Sequence, residues 1–184
     1  MNKIIILLLS CFLLQGCNAI GNAIHGALTG TDLYRSDVKA SHCELENDRC
    51  VNEKIIKDSS LVLQIPHSGD YSVYLIDAAY TYVLSTMYMP YDKFNDRFKD
   101  ILKFVRWADS PESNRENKPN IDYEYFHLYF DNQNTPYIAT RNEITSFFST
   151  KYEYVLFDKE QASELLKELL YIKIMLDKIK NKSK

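Results

Sequence analysis

The side chains that could do chemistry are few and scattered. There are four histidines, His25, His42, His67 and His127. Hydrolysis by a serine or cysteine nucleophile needs a base within hydrogen-bond reach, usually oriented by a carboxylate. The tetrapeptide His67-Ser68-Gly69-Asp70 holds all three triad residue types. Neighbours in sequence project in different directions, however, and a working triad is assembled from distant segments, so the stretch reads as a polar turn. Neither G-x-S-x-G nor H-E-x-x-H occurs. Asp122 and Glu124 fall on one face of an expected strand, where alternating acids ordinarily mark the solvated side. His42, Cys43 and Cys50 would supply three metal ligands, but nothing nearby supplies a fourth, and C-x6-C is not a zinc-knuckle spacing. A redox-active C-x-x-C is absent. These residues therefore assign no catalytic, cofactor-binding or metal-ligating role, and the expectation is a protein without a cofactor.

Composition excludes further classes. The formal charge of -3 leaves no global basic field to gather nucleic acid. Four of the five glycines lie within residues 16–30 and only Gly69 lies beyond. A body so poor in glycine cannot build the Gly-rich loops that cradle phosphates.

The clearest signal is N-terminal. Met1-Asn2-Lys3 gives a short positive start, followed by an apolar run of 11 residues from Ile4 to Leu14, broken only by Ser10. A membrane-spanning helix needs about 20 such residues, so the run reads as a signal-peptide core. The next residues complete Leu14-Gln15-Gly16-Cys17, which resembles the lipobox of bacterial lipoproteins: an aliphatic residue, then a small one, then the cysteine that is acylated. A competing Leu8-Leu9-Ser10-Cys11 would shorten the apolar core to Ile4–Leu9. The resemblance covers the first 17 residues only. It implies export, cleavage before Cys17 and a lipid anchor on that thiol, with multiple acyl chains holding stably where one would not. Asn18 is not the aspartate associated with inner-membrane retention, so the resemblance favours the outer membrane, facing the periplasm, in a Gram-negative cell. An exported chain meets an oxidising compartment. With Cys11 removed and Cys17 acylated, Cys43 and Cys50 are left as a pair, and a disulfide between them is expected.

The elements that must carry these residues can be read along the chain. Residues 1–16 are the expected signal peptide, 17–32 a lipidated tether and 33–184 a single globular domain. Ile20, Ile24, Ala27 and Leu28 recur at helical spacing within the tether. Residues 60–66 read as a strand ending at Pro66, followed by a turn. Tyr71–Met89 is nearly continuous in apolar residues and reads as a helix on length, although its tyrosines and valines also suit strands. Tyr91–Trp107 reads as a helix whose stripe is Phe94, Phe98, Ile101, Leu102 and Val105. Residues 109–120 are a polar loop. Ile121–Phe130 reads as a strand, 131–135 as a turn, Tyr137–Thr140 as its hairpin partner and Tyr152–Phe157 as another strand. A C-terminal helix follows, with Asp158 and Gln161 spaced as a capping box. Ala162, Leu165, Leu169, Ile172, Leu176 and Ile179 form its apolar stripe. The order predicts an α+β fold: an antiparallel sheet with helices packed on one side and a long C-terminal helix.

Tyrosine is unusually abundant at 14 residues. Tyr71, Tyr74, Tyr80, Tyr82, Tyr88 and Tyr91 form one group; Tyr123, Tyr125, Tyr129 and Tyr137 form another. Tyrosine offers rigid contact area with one polar handle and is enriched in binding hot spots. Much of it is also explained by β-propensity and core filling. Together these features predict a non-enzymatic, lipid-anchored envelope protein that binds a protein partner, as an inhibitor, immunity or accessory protein, with the first tyrosine group as candidate contact. The rival readings are a periplasmic hydrolase acting on cell wall or lipid with His67 or His127 as base, and a purely structural envelope lipoprotein.

Overall fold

The computed structural model describes residues 30–46, 49–51, 59–66, 72–77, 85–115, 117–145 and 150–182. The strands are β1 (Thr31–Glu46), β2 (Arg49–Cys50), β3 (Ser59–Pro66), β4 (Ser72–Asp77), β5 (Ser85–Pro90), β6 (Phe126–Phe130), β7 (Pro136–Thr145) and β8 (Thr150–Phe157). The helices are α1 (Phe94–Asp109) and α2 (Lys159–Lys182). All strand pairings are antiparallel, in the order β5-β4-β3-β1-β8-β7-β6 with β2 beside β1. The class is α+β, as the alternation of patterns predicts.

β1 is the organising strand. Its first part, Thr31 to Ala40, pairs with β3, and its last part, Ser41 to Leu45, pairs with β8 on the other side. The register shifts between Arg35 and Lys39, where four steps along β1 match two along β3, an irregularity of the β-bulge kind. The sheet curls until its two ends meet. The Tyr125 hydroxyl, one residue before β6, donates to the Tyr88 carbonyl oxygen and accepts from the Tyr88 N–H of β5, each at 2.9 Å. A side chain there supplies the hydrogen bonds that an edge strand would otherwise lack. Burial, partly opposed by the Arg97 guanidinium 3.5 Å over the ring, holds that hydroxyl up to about 12.

The concave side is the core. Val73 and Leu75 of β4 face Met89 and Met87 of β5 across the ladder, and Phe126, Ile138, Val155 and Phe157 continue the layer. Phe94, Ile101 and Phe104 of α1 and Leu165, Leu169, Ile172 and Leu176 of α2 close over it, each almost fully buried. At roughly 25 cal/mol per Å² of apolar surface removed from water, this shared layer is the main stabilising term. Asp100 of α1 is buried as well, but it is satisfied: it accepts from Lys103 Nζ at 2.7 Å and from the Asp122 N–H at 3.2 Å.

The described parts of the expected helix Tyr71–Met89, residues 72–77 and 85–89, are strands. They belong to β4 and β5, where Tyr74 and Tyr88 alternate with the buried valine, leucine and methionines. Ladder pairing in a half-buried sheet satisfies those β-branched and aromatic residues better than a helix would. The strand expected from Ile121 starts only at Phe126. Before it, Asp122 Oδ1 accepts from the Glu124 N–H at 3.0 Å and the Asp122 carbonyl accepts from Phe126 N–H at 2.8 Å, which makes a turn. Asp122 and Glu124 therefore do not share a strand face. Among the described residues no helix is long and apolar enough to cross a membrane.

Candidate functional site

The face of β6, β7, β8 and the end of β1 that points away from the helices carries the densest group of described polar-tipped rings. Alternation puts His127 and Tyr129 of β6, Tyr137, Ala139 and Arg141 of β7, Tyr152 and Tyr154 of β8, and Cys43 of β1 on that side. Cys43, Ala139, Tyr154 and Leu156 pack there as a second, smaller core, with Leu45, Cys50, Tyr129 and Tyr137 against them. Cys43 and Cys50 are joined by a disulfide with Cα atoms 5.5 Å apart, tying β2 to β1 beside Tyr154. So small a closed loop contributes about 2 to 3 kcal/mol on the chain-entropy view.

The rings are ordered by strand register. Tyr129 stands directly opposite Tyr137, with centroids 6.2 Å apart, and 6.4 Å from Tyr154. The His127 ring lies 5.3 Å from Tyr154. The Arg141 guanidinium sits 4.2 Å over the Tyr152 ring, a cation–π contact. Tyr137 donates to Asp131 Oδ2 at 3.2 Å. Asp131 also fixes the hairpin: its Oδ1 accepts from the N–H groups of Gln133 at 2.9 Å and Thr135 at 2.8 Å, and Asn134 takes φ 61° between them. Burial first, then the Asp131 carboxylate, push the Tyr137 hydroxyl up to about 12. It is protonated, and a hydrogen-bond donor, throughout the neutral range.

The tyrosines singled out in the sequence are only partly brought together. Tyr74 and Tyr88 are directly opposite on β4 and β5, with rings 4.9 Å apart. Tyr91 instead fastens α2 to the end of β5. Its hydroxyl donates to Asp177 Oδ1 at 2.6 Å, and Lys173 and Lys180 lie over its ring. Tyr71, Tyr80 and Tyr82 lie outside the described residues. In the second group, Tyr129 and Tyr137 share the face away from the helices, both half-buried. Tyr123 donates to the Pro119 carbonyl at 2.8 Å, and Tyr125 closes the sheet. The partners that sequence reasoning missed are Tyr152, Tyr154 and Arg141. The alternation of Tyr152, Tyr154 and Leu156 was the available signal for a second packed face.

The remaining candidates for chemistry are dispersed. His127 faces outward against Tyr154, whereas His42 is buried on the opposite face of β1, beside Val155 in the ladder. The sulfurs of Cys43 and Cys50 are bonded to each other and cannot act as thiolate ligands. Among the described residues no cluster of three or more His, Cys, Asp or Glu could hold a metal ion. His25, His67 and Cys17 lie outside the described residues. The chain matches no protein-family model, no curated protein and no solved structure.

Proposed function

We propose that the protein is a non-enzymatic, lipid-anchored protein of the cell envelope that holds a protein partner against the half-buried tyrosines on the face of β6, β7 and β8 that points away from the helices. The observation that carries this reading is the construction of that face. Tyr129 and Tyr137 are half-buried and set by strand register, and they pack against a disulfide-tied cluster of Cys43, Ala139, Tyr154 and Leu156 on the same face. Rings held in this way lose little conformational freedom on binding while offering apolar area and a hydroxyl. The anchor rests on the Leu14-Gln15-Gly16-Cys17 resemblance, which also implies the envelope location.

The two parts of the reading are tested separately. For the anchor, cells fed a clickable palmitate analogue should label the wild-type chain and not Cys17→Ala; equal labelling of both would refute it. For the face, a photo-crosslinking residue replacing Tyr129 should give a discrete protein adduct in cells, while the same residue replacing Ser113, on an exposed turn, should not. Once the partner is in hand, Tyr129→Ala should weaken binding at least about tenfold, the effect of losing about 1.4 kcal/mol at a hot spot. Adducts from position 113 alone, or unchanged affinity in Tyr129→Ala and Tyr137→Ala, would move the interface elsewhere.

A further inference from the structure

The solvent side of α2 carries an apolar band that the core does not use. Leu170, Tyr171, Ile174 and Ile179 are between 48% and 53% exposed, although the helix already buries Leu165, Leu169, Ile172 and Leu176 on its other side. Leu170 and Ile174 are one turn apart and Tyr171 lies between them, so three of the four form one contiguous patch. The charge around this patch changes along the helix, acidic beside Tyr171, where Glu168 and Asp37 neighbour Tyr34, and basic toward the C-terminus. Beyond Leu170 stand Lys173, Lys178 and Lys180 against one acid, Asp177; Lys173 and Lys180 lie over the Tyr91 ring, and Lys178 is exposed. That acid is already held, by Lys173 Nζ at 2.6 Å and by the Tyr91 hydroxyl. The acidic residues Glu160, Glu164 and Glu168 all lie N-terminal to the patch.

We infer that this face of α2 lies on an anionic phospholipid surface, with Leu170, Tyr171 and Ile174 entering the headgroup region, the exposed Lys178 pairing with lipid phosphates and Lys180 adding its charge from the flank. The chemistry is that of an interfacial helix: apolar side chains on one face, a ring at headgroup depth and long basic side chains that keep their charge in water. The position fits as well. The Tyr171 ring lies 6.2 Å from that of Tyr34, near the start of β1, so the patch borders the point where the chain enters the body from Cys17. The 13 residues from Asn18 to Gly30 reach at most about 3.6 Å each, long enough to leave the body's orientation open. Contact through α2 selects one orientation and turns other surfaces, the tyrosine face among them, to the aqueous side. The inference rests on the lipid-anchored reading for its biological setting, but the contact itself is a property of the helix.

The test uses the full-length protein as purified from cells, carrying Ile174→Cys labelled with an NBD fluorophore, beside a Ser113→Cys control and the parent chain. Label uptake by the parent chain and the intact mass report free or acylated Cys17, so failure of the anchor is seen independently of the fluorescence. With vesicles of phosphatidylethanolamine and phosphatidylglycerol, the 174 probe should shift to the blue and brighten severalfold. It should change little with phosphatidylcholine alone, and the 113 probe should not respond. Lys178→Glu with Lys180→Glu should cut the response severalfold. Three results would overturn the inference: a 174 probe unaltered by anionic vesicles; a probe already blue-shifted in buffer, meaning the chain covers the patch itself; or a shift in neutral vesicles that grows with protein density, meaning a second copy occupies it.

Discussion

The two helices fill the same role in the core but meet water differently. Every exposed position of α1 is polar: Asn95, Asp96, Lys99, Lys103, Arg106 and Asp109. α2 exposes Leu170, Tyr171, Ile174 and Ile179. The helices also begin differently. Lys93, at the start of α1, makes no side-chain cap. At the start of α2, Asp158 Oδ1 accepts from the Gln161 N–H at 2.8 Å and Gln161 Oε1 accepts from the Asp158 N–H at 3.0 Å, a reciprocal capping box. The contrast separates what the fold requires from what it does not. A polar outer face is sufficient for α1 in this core, and the apolar band of α2 is an addition to that pattern. The capping box stabilises the helix without any help from that band.

The largest mutational effects lie in the buried seams, where the helices should behave alike. Phe104→Ala in α1 should cost about 3 to 5 kcal/mol and Leu169→Ala in α2 about 2 to 5, read from urea unfolding. The caps come next and should differ. Asp158→Ala should cost about 0.5 to 2 kcal/mol, whereas Lys93→Ala should stay within about 0.5; equal losses would mean the box is not what starts α2. On the outer faces, Ile174→Ser and Lys99→Ser should each leave stability within about 0.5 kcal/mol, while only Ile174→Ser should weaken binding to anionic vesicles.

The smallest effect is electrostatic. Hydrogen bonds from Lys173 and then Tyr91 hold the Asp177 carboxyl below its ordinary value. A depressed carboxyl contributes stability above its unfolded pKa of about 3.9 and loses it as the pH falls through the folded value. Thermal melts of Asp177→Asn should therefore show a slightly flatter acid limb than wild type, with the difference gone at the acid end. The side chain is 43% exposed, so solvent screening keeps the effect slight.

Local chemistry makes some of the molecule readable from its sequence. Asp158 and Gln161 announce α2, the stretch 131–135 announces the β6–β7 hairpin, and the spacing from Phe94 to Val105 announces α1. Each signal is completed within a few residues. β1 escapes because its inward positions, Ser36, Val38, Ala40 and His42, are small or polar where α2 comes close, so the strand shows no apolar alternation. β4 and β5 pass for a helix because apolar residues on one face and tyrosines on the other blur period two into a continuous run. The site suffers similarly. Tyr74 and Tyr88 fall in one sequence cluster but meet across a ladder, and the Tyr129–Tyr137–Tyr154 group depends on a sheet order that sequence spacing does not reveal.

The central place of β1 has a mechanical consequence. It is the strand through which residues before Gly30 enter the body, and it is flanked by β3 along its first part and β8 along its last. A pull along β1 from its N-terminal end loads the ladder with β3 over Thr31–Ala40 first and reaches the ladder with β8 over Ser41–Leu45 after it, sideways in each case, because ladder bonds run perpendicular to the strand. Tension along β1 is thus borne by two ladders in succession, whereas tension applied through β6 is borne, among the described residues, by its ladder with β7.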